Sequence, residues 1–155
     1  MIKHWYRTVV FGLLTACTIG NVIAESLIKS FTQGSHTEIV KQYQGKPFVI
    51  ALWSLDCPSC YKELTMLAEE RQKRNINLVL ISVDGAEAKN EVEAVLKKYA
   101  LQTVDAWLFE EHSLQTLRYE IDPLWYGEVP RSYIFDKGHQ RTAVSGVLTP
   151  DQLPN

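Results

Sequence analysis

Pro47-Phe48-Val49-Ile50-Ala51-Leu52-Trp53-Ser54-Leu55-Asp56-Cys57-Pro58-Ser59-Cys60 decides how this chain is built. From Pro47 to Trp53 there is no charge and the composition favours β structure, which predicts a central strand buried on both faces. The character then changes. Cys57 falls at a helix N-cap, and Pro58 suits the first helical position, where its missing N–H is not needed. Tyr61, Leu64, Leu67 and Ala68 mark one face of that helix, and Glu69–Lys73 and Glu70–Arg74 are spaced as ion pairs along its wet side. A helix N-terminus carries partial positive charge from unpaired N–H groups and favours a thiolate there. The thiolate is the species that attacks a disulfide. A first thiol raised on the opening turn with a second one turn deeper is what dithiol–disulfide exchange needs.

Working outward, residues 25–46 are polar and mixed, with a short helix expected over His36 to Tyr43. Asn77 to Val83 reads as a second buried strand, ended by Asp84-Gly85. A helix follows over Glu87 to Ala100, with Ala88, Val92, Val95, Leu96 and Tyr99 on one face. Asp105 to Phe109 is a shorter strand and His112 to Tyr119 a short helix. Arg131 to Phe135 is a strand, Asp136-Lys137-Gly138 a turn and Gln140 to Ser145 its hairpin partner. Strand and helix alternate up to that hairpin, which predicts an α/β fold: a mixed sheet with parallel crossovers and an antiparallel edge, flanked by helices.

The 155 residues suit one domain with a real core. Acidic side chains outnumber basic ones, 18 to 16, and Lys3 and Arg7 are the only charges before Glu25, so the body is the acidic part. That speaks against a nucleic-acid partner, which would want a basic face. Residues 1–24 read as an export signal: a basic start, an apolar stretch from Val9 to Ile19, then small residues. Val22-Ile23-Ala24 offers a cleavage site that leaves a domain over residues 25–155. Leu14-Thr15-Ala16-Cys17 offers a lipobox that leaves Cys17 as a lipid anchor and a membrane tether. An uncleaved membrane span ranks third, because the stretch is short of ~20 apolar residues. The expected location is periplasmic or cell-envelope, where disulfides persist. On either signal reading the folded body keeps two cysteines, both in one motif. A bridge closing so short a loop restrains the unfolded chain little, so the pair is there to react.

At this point the chain resembles the thioredoxin superfamily and, within it, the exported TlpA/ResA-like thiol–disulfide oxidoreductases. The resemblance runs from about Gly45 to Gly146. It rests on Gly45-Lys46 before the first strand, Trp53 ahead of Cys57, Cys57-Pro58-Ser59-Cys60 itself and Lys62-Glu63 after it. Ser82-Val83-Asp84, Tyr119-Glu120-Ile121, Val129-Pro130 and Tyr133-Ile134-Phe135-Asp136-Lys137-Gly138 complete the set. It implies a thioredoxin-like fold and an enzyme with no cofactor and no metal, expected as a monomer. Protein disulfides would be its substrates, and a membrane thiol electron donor would recharge it. Cys57 would attack and Cys60 resolve. Pro130 would sit in a cis bond facing the disulfide, with the Val129 backbone pairing with an extended substrate. Glu63 would help move the proton of the buried thiol.

The chain departs from the family in places. Asp56 stands where an uncharged residue is usual; a carboxylate there disfavours the Cys57 thiolate and tips the couple toward a reductant, unless water screens it. Thr65 replaces a common proline. The segment from Ile121 to Val129 is longer than usual by about five residues. The chain stops at Asn155, where family members continue into a final helix that Thr149-Pro150-Asp151 resembles the start of; the helix is short or missing, or the sequence is truncated. Trp125-Tyr126, in the lengthened segment, are expected to present a partner-binding surface, the alternative being that Trp125 packs in place of that helix. Structural zinc would need four ligands, and covalent haem a histidine where Tyr61 stands. An oxidase or isomerase is the nearest alternative activity. A copper-binding chaperone is a more distant one, using both cysteines and His139.

Overall fold

The computed structural model describes residues 27–110 and 114–154. The expected signal segment, Cys17 and His112 lie outside them. The elements follow in the order β1 (Ile28–Phe31), α1 (Ser35–Gln42), β2 (Phe48–Trp53), α2 (Pro58–Lys73), β3 (Leu78–Ser82), α3 (Lys89–Lys98), β4 (Asp105–Phe109), α4 (Leu114–Ile121), β5 (Arg131–Phe135) and β6 (Arg141–Ser145). One six-stranded sheet runs β1-β4-β3-β2-β5-β6. β1, β4, β3 and β2 are mutually parallel, and β5 and β6 are antiparallel additions. A 3₁₀ turn precedes α3 at Ala86–Ala88, and the chain after β6 makes another at Pro150–Gln152.

Every residue of β2 is buried, as its uncharged composition demands. Alternation sends Val49, Ala51 and Trp53 to one face and Phe48, Ile50 and Leu52 to the other. The first face is covered by α2 and α3 through Leu64, Leu67, Val92 and Leu96. The second is covered by α1 and α4 through Ile39, Leu117 and Ile121. Two layers of helix thus enclose one sheet, the arrangement that parallel strands require.

Two features differ from the sequence reading. The first is β1, within a stretch read as polar and irregular. Only Ile28 and Phe31 of its four residues point inward, so it offers almost no periodicity, yet it pairs with β4 along its whole length. Phe31 is fully buried, stacked on Phe109 at 5.0 Å and edge-on to Trp107 at 6.2 Å. The second is the charge pattern of α2. Lys73 pairs with Glu70 at 3.0 Å rather than with Glu69, and Arg74 joins the same carboxylate at 2.8 Å. The Glu70 side chain is buried beneath its two cations, Lys73 exposed and Arg74 half-buried, with Arg74 also reaching the Pro150 carbonyl.

At the amino ends of the parallel strands, Asp105 gathers Lys29, Gln42, the Tyr43 hydroxyl and the Trp107 indole N–H, all between 2.9 and 3.2 Å. Burial, with this carboxylate beside it, pushes the Tyr43 pKa up to about 12. Together the Phe31 ring and this cluster make β1 part of the core. Phe31→Ala is therefore expected to cost about 3–5 kcal/mol, seen as a lowered urea midpoint. A loss under about 1 kcal/mol would mean that β1 is dispensable.

Candidate active site

The site is built where β2 ends. Trp53 pairs with Ser82 at the end of β3, and Leu52 pairs with Arg131 at the start of β5. The register therefore brings three segments to one end of the sheet: residues 54–57, 83–85 and 129–130. The Val129–Pro130 bond is cis.

Cys57 is the N-cap of α2, in extended backbone, with Pro58 on the first helical turn. Its sulfur accepts from the Cys60 N–H at 3.1 Å and lies 3.5 Å from the Ser59 hydroxyl. Those are the donors a thiolate on the same atom would use. Cys57 and Cys60 form a disulfide with a Cα–Cα distance of 5.3 Å. Cys57 is 6% exposed and Cys60 fully buried, so the first cysteine is the more accessible of the two. Asp56 is exposed, its backbone N–H turned to the Ser54 hydroxyl at 3.2 Å.

The approach to Cys57 is held from two sides. The Leu55 N–H donates to the Asp84 carboxylate at 3.1 Å, and the Leu55 carbonyl accepts from the Tyr61 hydroxyl at 2.7 Å. Asp84 also receives the Ser82 hydroxyl at 2.5 Å. Tyr61 is in turn stacked with Tyr99 of α3, their rings 6.0 Å apart. Sequence reasoning placed Tyr61 on the helix face and Asp84 at a strand end; that both grip Leu55 depends on contacts across the fold that no local pattern reveals.

Glu63, one turn beyond Cys60, is buried inside the domain with 2% exposure. The Ser132 hydroxyl donates to its Oε1 at 2.6 Å, while Oε2 has no hydrogen-bond partner. Burial raises the Glu63 pKa against the opposing pull of that hydroxyl and of the Leu148 backbone N–H. Ser132 follows Pro130 by two residues, so the carboxyl group bridges the disulfide helix and the cis-proline strand. Nothing in the sequence singled out Ser132.

The lengthened segment separates its two aromatics. Tyr126 is 90% exposed, with Leu124 beside it at 78%. Trp125 is buried, packed with Leu117, Ile121 and Tyr133, and its indole N–H donates to the Glu128 carbonyl at 2.8 Å. The expectation of a shared aromatic surface is thereby corrected for Trp125, which anchors the loop. It does not stand in for a final helix either, since Leu148 and Leu153 after β6 pack on the opposite face of the sheet. Gly127 reverses the chain at φ +97°, and a Cβ there would run into the Arg118 guanidinium.

His139 sits in the β5–β6 turn, where its ring accepts from the Gly45 N–H at 3.1 Å. Since Phe135 pairs with Phe48, that turn lies beside the start of β2, whereas Cys57 follows its end. A strand of six residues, roughly 20 Å, intervenes, so His139 and the thiols cannot share a copper ion. Among the described residues no group of three or more His, Cys, Asp or Glu side chains could hold a metal, and no helix is long and apolar enough to cross a membrane.

Residues 25–142 match the AhpC/TSA family. No curated protein matches the chain. Several solved structures share its fold. A secreted disulfide oxidoreductase of Mycobacterium tuberculosis, homologous to E. coli DsbE, is 19% identical over 72% of this chain and 80% of that one, with a TM-score of 0.55. A DsbF homologue from Corynebacterium diphtheriae is 18% identical over 72% and 70%, with a TM-score of 0.57. StoA from Bacillus subtilis is 19% identical over 70% and 80%, with a TM-score of 0.51. Matched over well more than half its length, the chain belongs to the AhpC/TSA family, and a thioredoxin-like fold is what carries its Cys57–Cys60 pair.

Proposed function

We propose that this protein is an exported thiol–disulfide oxidoreductase of the TlpA/ResA-like kind that reduces disulfides in envelope proteins. The observation that carries the reading is the placement of Cys57: a sulfur at a helix N-cap, the less buried of the pair, beside a cis-proline segment. The reduced Cys57 thiolate attacks a client disulfide, forming a mixed disulfide and releasing one client thiolate. Cys60 then loses its proton and attacks the Cys57 sulfur. The Cys57–Cys60 bond closes and the second client thiolate departs, so the client gains two electrons and the protein loses two. A dithiol in the membrane returns them. Glu63, beneath Cys60 and with one carboxyl oxygen unpartnered, takes the Cys60 proton.

The Pro130 carbonyl is already committed to the Gly146 N–H at 2.9 Å, which leaves the Val129 backbone for an extended client segment. Tyr126 and Leu124 are the exposed apolar side chains next to it. Asp56 is exposed beside Cys57, where water screens its charge, so what its carboxylate adds to the reducing direction is small. Export is supported by the basic-then-apolar start of the chain and by the secreted character of the M. tuberculosis protein.

Cys57→Ser is expected to abolish exchange, and Cys60→Ser to trap mixed disulfides through Cys57, detected as reductant-sensitive adducts on gels. Adducts through Cys60 would reverse the roles. In a glutathione redox buffer the pair should equilibrate below about −200 mV, and Asp56→Asn should raise the potential. A value near −120 mV, typical of a dedicated oxidant, would favour the oxidase reading.

Glu63 yields a pH test. Its folded pKa is raised above the usual 4.5, so the folded state holds a proton that the unfolded state has released. Stability therefore falls as pH rises from that value through the raised one. The neutral variant Glu63→Gln removes this loss. Oxidised Glu63→Gln should melt above wild type at neutral pH, with the difference vanishing below pH 4.5. Parallel melting curves at all pH values would show that Glu63 titrates normally.

A further inference from the structure

Arg131, directly after Pro130, fastens the lengthened segment at both ends. Its Nη2 donates to Asp122 at 3.0 Å, at the segment's start. Its Nη1 reaches the Ser145 hydroxyl at 2.6 Å and Glu128 at 3.4 Å, near the segment's end. Its Nε donates to the Tyr133 hydroxyl at 3.2 Å, which donates onward to Asp122 at 3.0 Å. The Leu124 N–H gives Asp122 a further bond at 3.0 Å, and Arg141 lies 3.6 Å away while holding the Ile121 carbonyl at 2.7 Å. Both guanidiniums lie over the Tyr133 ring, at 5.1 and 4.8 Å.

Asp122 is buried and the Arg131 side chain is only 13% exposed. Burial alone would raise the Asp122 pKa, but the Leu124 N–H, the Tyr133 hydroxyl and the two arginines hold it below the usual carboxylate range. Burying charge is costly unless each group is matched. Here the bonds from Arg131 to Asp122 and Glu128 and from the Leu124 N–H to Asp122 close one short stretch of chain, and that stretch leads to Val129. Trp125 packs beneath it, and Leu124 and Tyr126 are left on its outer side.

We propose that Asp122 and Arg131 are positioning residues for client recognition: by clamping residues 122–128 they hold the Val129 backbone, Leu124 and Tyr126 in one arrangement beside the disulfide. This rests on the reading that the Val129–Pro130 edge receives the client. A loop ordered in advance spares the encounter the entropy of ordering it. The thiols take no part in the clamp, so the loss should fall on an extended substrate and spare a compact one.

The test uses the full-length chain and two probes: an extended peptide bearing one mixed disulfide with glutathione, and glutathione disulfide. Wild type should reduce both. Arg131→Met, which keeps the apolar stem and removes the fork, should raise KM for the peptide about tenfold, with kcat and the glutathione disulfide rate within about twofold of wild type and the midpoint potential unchanged. Asp122→Asn should act in the same direction. If Arg131→Met does not fold, Asp122→Asn and Arg131→Lys, assayed below their melting temperatures, decide the matter by the same KM shift. A folded variant with unchanged peptide KM, or with equal losses on both probes, would overturn the clamp while wild-type activity leaves the oxidoreductase reading standing. Failure of the wild type on both probes would overturn the two together.

Discussion

A strand buried on both faces can offer chemistry only at its ends. β2 is such a strand, and this constraint organises the molecule. Its side chains are fully used in holding α2 and α3 on one face and α1 and α4 on the other. What remains is the point where it leaves the sheet, and there the chain turns into a helix whose Cys60 N–H donates to the Cys57 sulfur. The reactive sulfur thus owes its position to the most rigid element of the fold. The hydrogen bonds to Leu55 from either side carry that rigidity across the short connection.

Polar groups are buried mainly where they tie segments of the site together. Glu63 and Ser132 join the disulfide helix to the strand after the cis proline, and Asp122 with Arg131 closes the loop before it. The two carboxyl groups are treated in opposite ways. Asp122 receives hydrogen bonds from several directions and is held ionised, while Glu63 keeps one oxygen without a partner and is pushed toward its protonated form. One serves as a fixed charge for architecture; the other exchanges a proton only on the proposed mechanism.

The sequence disclosed what is local. β2, the Cys57 N-cap and Pro58 on the first turn were all legible because a strand buried throughout, a cap and a proline each leave a mark within a few residues. β4 and β5 were read with the boundaries the structure shows. β1 was missed because an edge strand with two inward residues carries no usable period. Trp125 and Tyr126 are adjacent and chemically alike, and no local rule says which turns inward; the packing against Leu117 and Ile121 decides it. The partners of Glu63 and Asp122 lie up to 69 residues away, so their roles follow from strand register and not from spacing.

The sheet also has two outer margins, and neither is welcoming. β1 is four residues long and turns Lys29 and Ser30 to solvent; β6 is exposed along nearly its whole length and begins with Arg141. Short, charged margins are poor templates for another chain. A longer, uncharged edge would be open to pairing with another chain, or with a second copy of its own kind. By keeping its borders unattractive, this fold withholds backbone pairing at both edges of the sheet, whose order β1-β4-β3-β2-β5-β6 leaves only those two open.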